Sequence, residues 1–343
     1  IIAQIQNSNE IRVSTRTGVT ISSVVIDSTT FYTDTITNVT AWTDIHISGA
    51  GDKILVGTTD ATISGTVQGL LVLFTYVSGS WTYKMKYAPG TNAQYTGMGT
   101  RGYYGLAGDG LEIITSSDAG PVKKFSCHGT YFSETTSNSS GMRECAITYN
   151  HAWYVTRTSA SNGHHFSTYS GASINKGNKS LPTGYTVKYL SLGKQYAGET
   201  SGGESVTVYT IAVTGTDDTL GTTQKTLFYS ARNGDFISAI GSEYTSSFTG
   251  SLSKPSISTD GKWIIVRDGG SINVNYNTGD LLKNISLSTK ATGNYTTLSH
   301  DGSIFVNTGG LYTANTVTYP QITQYSGGLL AAGDIYGNGN MNF

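Results

Sequence analysis

Seven times along this chain a turn built from Gly, Asp, Asn or Lys runs straight into a short apolar, strand-like run, and this recurrence restricts the fold more than any single motif. The turns are Asn9-Glu10, Gly51-Asp52-Lys53, Arg101-Gly102, Asn150-His151, Gly193-Lys194, Gly261-Lys262 and Gly302-Ser303. The runs behind them include Ile54-Leu55-Val56, Tyr103-Tyr104-Gly105-Leu106, Trp263-Ile264-Ile265-Val266 and Ile304-Phe305-Val306. Successive turns lie 42, 50, 49, 43, 68 and 41 residues apart, most of them close to the length of a repeat that supplies one four-stranded sheet. Such a sheet has two apolar faces and cannot bury both alone. Stacking it between similar sheets buries both.

Two stretches show the internal grain of a repeat. Leu70 to Tyr76 and Trp81 to Tyr87 flank Ser78-Gly79-Ser80, and this is the clearest hairpin in the chain. Ser271 to Tyr276 and Leu281 to Ile285 flank Asn277-Thr278-Gly279-Asp280 in the same way, with Ile272, Val274 and Tyr276 on one strand face. Lys262 to Val266, just before, reads as a more buried inner strand.

Composition agrees with strands and turns. Gly at 43 and Tyr at 23 accompany abundant Ser and Thr, while Pro is only 5, a mixture that suits extended chain and is poor helix material. The 343 residues exceed the usual single core, yet a ring of repeated sheets absorbs that length as one domain, 1–343. Only 13% of residues are charged, and 21 basic against 22 acidic groups leave a net charge of −1, so no overall field points to nucleic acid or an anionic membrane. The longest apolar run, near Leu70 to Phe74, is far short of a transmembrane span, which excludes helical membrane insertion and predicts a soluble protein. The chain opens on Ile1-Ile2 rather than Met, compatible with processing, an unseen leader or a fragment boundary. Asn38, Asn138, Asn178, Asn284 and Asn294 each head an Asn-x-Ser/Thr triplet, which mildly favours an exported protein.

The ends of the chain complement each other. Ile1 to Ile5, Ile11 to Thr15 and Val19 to Ile26 supply three strands, and Leu329 to Ala332 is expected to add the fourth, joining the first repeat to the last. An array left open would expose pairing edges, so closure has a physical rationale. The 68-residue interval predicts one enlarged unit around 193–260, with an eighth unit as the competing count.

This pattern resembles the seven-bladed β-propellers. Ser258 to Val266 and Ser299 to Val306, each centred on Asp-Gly, resemble inner-strand starts in propellers of the surface-layer and quinoprotein type. The resemblance implies an all-β fold of seven four-stranded antiparallel blades. It lacks the regular Trp-Asp blade ending of WD-type propellers and the repeated Asp-box of sialidases, and so carries no catalytic assignment.

Candidate chemistry is sparse. His164-His165 is a metal-like pair, but neighbours on a strand point to opposite faces, which favours polar loop residues. Cys127-His128 and Cys145 with His151 contain zinc-ligand types without an oriented set of four; buried thiols, or a Cys127–Cys145 disulfide, explain the same letters. Among the acidic loop residues, including Asp109, Asp217, Asp218, Asp260, Asp268 and Asp301, none reproduces a twelve-residue calcium loop. The segment Asp334 to Asn340 is the best local calcium candidate, and calcium is the one cofactor left open. Glu112, Glu134, Glu144, Glu199, Glu204 and Glu243 could include a glycosidase pair only if two converge across a sugar bond.

Recognition is expected on loops, held at their ends by sheets. The longest polar excursions are 160–163, 198–204 and 214–221, which makes Asn162, His164, His165, Glu199, Glu204, Asp217 and Asp218 binding candidates. Trp81 joins them, whereas Trp153 and Trp263 are expected to fill space between sheets from inner strands. The leading expectation is a noncatalytic extracellular or virion-surface structural protein for assembly, attachment or both, with structural proteins as partners. A carbohydrate-binding propeller is the chief alternative, and a glycoside hydrolase or polysaccharide lyase the second. Ligand, host assembly and oligomeric state are not written in the sequence.

Overall fold

The computed structural model describes residues 2–7, 10–14, 20–25, 36–39, 42–87, 103–116 and 122–127 and, from 135 onward, the strands named below; side chains are described mainly within 42–84, 103–116 and 122–127. All pairing among these strands is antiparallel. The chain is all-β, with three- to five-stranded sheets in a propeller-like arrangement.

The first sheet unites both ends of the chain: Thr20–Val25, Glu10–Ser14, Ile2–Asn7 and Leu330–Ala332 lie side by side in that order. Ile2, Ala3 and Gln4 pair with Ala332, Ala331 and Leu330, so the expected partnership of the two ends is present as backbone pairing. In the second sheet Lys53–Ile63 pairs on one side with Ile36–Asn38 and Asp44–Ile47, and on the other with Thr66–Val77, which pairs in turn with Ser80–Tyr87. The third runs Tyr104–Leu106, Glu112–Thr115, Lys123–Ser126, Thr135–Thr136. The fourth runs Met142–Ile147, Trp153–Thr158, Gly163–Thr168, Asn178–Ser180.

The fifth sheet, within 185–246, is the enlarged one: strands of 12, 10 and 9 residues, Tyr185–Tyr196, Val208–Asp217 and Gln224–Arg232, are followed by Asp235–Ala239 and Tyr244–Ser246, both paired with the third of them. Thr200–Ser201 and Glu204–Ser205 form a small separate ribbon. The sixth sheet runs Ser256–Ile257, Trp263–Asp268, Ser271–Tyr276, Leu281–Ser286, and the seventh Thr296–Leu298, Ile304–Asn307, Gly310–Thr313.

The best-described strands show why the sheets stack. On Lys53–Ile63 and Thr66–Val77, alternate residues point to opposite faces. Ile54, Val56, Leu70, Val72 and Phe74 join Ala3, Ile11 and Val13 of the first sheet in one buried cluster. Leu55, Leu71 and Leu73 join Tyr104, Leu106, Ile113 and Phe125 of the third sheet in another. One sheet therefore feeds two cores. The third sheet repeats the pattern, sending Ile114 and Val122 towards Cys145 and Tyr154 of the fourth.

The same neighbour relation runs along the chain through one strand of each sheet. Asp44–Ile47 approaches Tyr104–Leu106, which approaches Met142–Ile147, and that strand approaches Tyr185–Tyr196. Tyr185–Tyr196 approaches Ser256–Ile257, which approaches Thr296–Leu298. Leu330–Ala332 lies against both Thr296–Leu298 and Asp44–Ile47.

Several expectations need correction. Gly193-Lys194 is not a turn before a strand; it lies inside Tyr185–Tyr196, where pairing shifts register between Leu192 and Gln195, as a glycine at a strand irregularity does. Parts of the expected polar loops are strand: Gly163 begins Gly163–Thr168, and Thr214 to Asp217 end Val208–Asp217. By contrast, the hairpin at 70–87 and the pairing of Ser271–Tyr276 with Leu281–Ser286 are as read. Ser78 and Gly79, with φ of 50° and 86°, form the two-residue turn whose backbone twist matches the flanking strands.

Candidate functional site at the junction of the second and third sheets

Polar chemistry concentrates, among the described side chains, where the turn after Asp44–Ile47 meets the turn after Tyr104–Leu106. Each turn joins two paired strands, Asp44–Ile47 to Lys53–Ile63 and Tyr104–Leu106 to Glu112–Thr115.

Ser48 organises the first turn. Its hydroxyl donates to Asp52 Oδ1 at 2.7 Å and accepts from the backbone N–H groups of Asp52 and Lys53 at 3.2 and 3.0 Å. Lys53 Nζ donates to Asp52 Oδ2 at 2.8 Å. The second turn is closed by Asp109, whose Oδ1 accepts from Leu111 N at 3.0 Å, as Asp commonly does two residues ahead of itself. The turns are then tied together: Gly49 N donates to Gly108 O at 2.6 Å, and Lys53 lies across Gly110, where an added Cβ would stand 3.1 Å from the lysine Cδ.

Tyr104 is fully buried and seats its ring on Gly57. A Cβ at Gly57 would fall 2.5 Å from Tyr104 Cζ, so only glycine accommodates the ring. The phenol donates to the backbone oxygen of Asp44 at 2.7 Å. His46 packs edge-on against the Tyr104 ring with centroids 5.1 Å apart, and its Nε2 is 3.5 Å from Asp44 Oδ2. Asp44 Oδ1 accepts from Ile45 N at 3.0 Å.

The electrostatics make this a fastening more than a reactive centre. Burial alone raises the Asp52 carboxyl, but hydrogen bonds from Lys53 and Ser48 and the lysine charge outweigh it, holding the group below the usual carboxylate range. Burial pushes the Cys127 thiol up to about 12, with the charges of Glu112, Asp109 and Asp52 adding and Lys53 opposing. At neutral pH it is a thiol, the unreactive form. On the third sheet's other face, Lys124 is 6% exposed and held below the usual lysine range by burial, against the Glu112 charge. Its ammonium stands 5.3 Å from the Tyr154 ring centroid.

The candidates read from sequence scatter over the fold. Trp81 is half-buried against the cluster shared by the first two sheets, with its ring 5.3 Å from that of Tyr76, its cross-strand partner. Cys127 and Cys145 are buried in different clusters and form no disulfide with each other, which corrects the pairing the sequence left open. His164 and His165, expected as loop residues, occupy consecutive positions of the strand Gly163–Thr168, in register with Lys179 and Asn178 of the neighbouring strand. Glu204 belongs to the two-stranded ribbon, and Asp217 ends a strand opposite Tyr185. Asn162, Glu199, Asp218 and the segment Asp334 to Asn340 lie outside the described residues. No three His, Cys, Asp or Glu side chains come together as a metal site among the described residues. Sequence reasoning missed Asp44, His46, Ser48, Gly57 and Tyr104; the one local signal was a glycine interrupting the apolar run at Gly57.

No family model matches the chain, and no curated protein matches it. Among solved structures, hydrazine synthase from Kuenenia stuttgartiensis superposes with a TM-score of 0.54 at 11% identity, covering 91% of each chain. TolB from Acinetobacter baumannii aligns with a TM-score of 0.48 at 13% identity over 83% of this chain and 63% of that one, so this chain spans less than two thirds of TolB's length. No helix among the described residues is long and apolar enough to cross a membrane. The chain has an all-β fold that distantly resembles propeller-type folds.

Proposed function

We propose that the chain is a closed, seven-bladed propeller acting as a noncatalytic structural protein on a cell or virion surface, where its perimeter and loops serve assembly or attachment. The observation that supports the architecture most is a neighbour order, through one strand of each sheet, that passes through seven sheets and returns through Leu330–Ala332 to Asp44–Ile47. The functional reading rests on how the described polar groups are used. Asp52 and Lys53 fasten a turn, Asp109 closes one, and Cys127 is held as a buried thiol, so chemistry at this junction serves rigidity. A rigid ring with low charge and hydroxyl-rich outer segments is suited to carrying contacts on its loops. Folds of this kind host many activities, so the function is argued from the residues and not from the likeness.

Cross-linking and mass spectrometry of the protein in its native source, with neighbouring chains retained, test the reading. Cross-links from the perimeter or loops to surface or virion proteins are expected. Recovery as an unpartnered cytosolic monomer would defeat it, as would turnover of a polysaccharide by the purified chain.

A further inference from the structure

Two of the sheets are built longer than their neighbours. The central paired strands have 11 and 12 residues in the second sheet and 10 and 9 in the fifth, against 6 and 6 in the sixth. In both long sheets the extra length lies at the hairpin tip. The outer strand keeps to the other end, Ser80–Tyr87 pairing with 71–77 and Asp235–Ala239 with 229–232. Each tip has its own short partner instead, Ile36–Asn38 beside Thr62 and Ile63, and Tyr244–Ser246 beside 224–226. About four extra residues at ~3.3 Å each carry a tip roughly 13 Å further out.

Both extensions begin at an irregularity. On Lys53–Ile63 the register shifts between Thr58 and Ala61, where the buried Thr58 hydroxyl donates to Asp60 Oδ1 and accepts from Asp60 N at 3.2 Å. On Tyr185–Tyr196, which pairs along the fifth hairpin, it shifts between Val187 and Tyr189. Such bulges bend a strand and re-aim what lies beyond. In the ring order the two sheets stand three steps apart one way and four the other, close to opposite each other. Both tips are the turn between the two central strands, so in a closed ring they rise from one rim, on either side of its mouth.

The extensions carry no net field. Over 58–70 the one charged residue is Asp60, already bonded to Thr58, and over 185–188, 214–226 and 244–246 Asp217 and Asp218 are balanced by Lys188 and Lys225. An acidic polysaccharide, a nucleic acid or a charged peptide finds no countercharge here. Hydroxyl and amide residues dominate, Thr59, Thr62 and Gln68 on one hairpin and Thr216, Gln224 and Thr226 on the other. Gln68 Oε1 has no hydrogen-bond partner among the described residues. Tyr185 and Tyr244 sit on the strands that flank the fifth hairpin, and an aromatic face suits the C–H face of a sugar. Among the described side chains of 58–70, Val67 at 65% is the one large exposed hydrophobic, too little for the apolar centre of a stable protein interface.

We infer that the two extensions are the walls of a cleft across the mouth of the ring, and that its occupant is an uncharged oligosaccharide, held without being cut. This names the ligand of the attachment reading above and rests on its closed ring. The test applies the full chain to neutral glycans (dextran, mannan, laminarin) and acidic ones (alginate, heparin). A neutral glycan is expected to bind, with an affinity that changes by less than about twofold from low to high salt. Hydrogen exchange of the unaltered chain, which needs no folding of a variant, is expected to slow about tenfold at 58–70 and 214–226 together when that glycan is added. Gln68→Ala and Tyr244→Ala should each weaken binding about tenfold. Binding of acidic glycans alone, protection of one hairpin or neither, or retention of no glycan overturns the inference, as do native cross-links that place a protein between the hairpins. Electron micrographs without a closed ring remove the architecture instead, while exchange still reports whether the two hairpins share a sugar.

Discussion

The second sheet meets its two neighbours by different means. Towards the first sheet it presents Ile54, Val56, Leu70, Val72 and Phe74 against Ala3, Ile11 and Val13, an apolar contact in which many small increments add. Towards the third it also buries Leu55, Leu71 and Leu73 against Leu106, Ile113 and Phe125, and it adds one large ring seated over one glycine and hydrogen-bonded at its tip. The first interface is tolerant, because hydrophobic volume can be redistributed. The second is keyed, because Tyr104 and Gly57 must match each other. A repeat built from similar sheets needs such keys to hold each sheet beside its proper neighbour.

Removing the key is the strongest way to break this contrast. Tyr104→Ala is expected to lower stability by about 3–5 kcal/mol, the usual range for deleting a buried aromatic, in urea unfolding of the full chain. Gly57→Ala comes next, at about 1–3 kcal/mol, because the new methyl collides with the ring. The two changes should not add. With Tyr104 already truncated, the Gly57→Ala methyl meets space, and its cost should largely vanish. Additive losses would mean that ring and glycine do not form a unit. Ile54→Val on the tolerant side should cost about 0.5–1.5 kcal/mol and add with either change.

Tyr104→Phe sharpens the comparison by keeping the ring and deleting only its hydrogen bond to the Asp44 carbonyl. A loss of about 1 kcal/mol is expected. Shape would then account for most of the key. A loss as large as that of Tyr104→Ala would instead place the weight on the polar tip.

How far the sequence reveals this depends on the range of the interaction. The hairpin at 70–87 was legible because a continuous apolar run and an aromatic-rich alternating run flank a Ser-Gly turn, all within one local window. The pairing of the two chain ends was legible because a sheet one strand short must find its complement. Gly193-Lys194 misled because a glycine at a strand irregularity has the same letters as a glycine in a turn. The Tyr104–Asp44 bond spans 60 positions, and nothing local to either residue announces the other. Gly57 came closest to a signal, since a glycine amid Ile54, Leu55 and Val56 is costly in a strand unless something needs its missing side chain.

The Ser48–Asp52–Lys53 turn yields the smallest effect and a pH signature. Asp52 is held below its ordinary range in the folded chain, so its contribution is present above the unfolded value of about 3.9 and is lost as pH falls through the lower folded value. Asp52→Asn should therefore leave stability almost unchanged at pH 7, because the pair is partly solvent-exposed, and flatten the decline below about pH 4. Thermal unfolding from pH 7 down to pH 2 separates this from the keyed contact, since the loss from Gly57→Ala should be the same at every pH. An Asp52→Asn profile that parallels the parent on the acid side would show that the turn's ion pair is decoration, leaving the junction to Tyr104 and Gly57 alone.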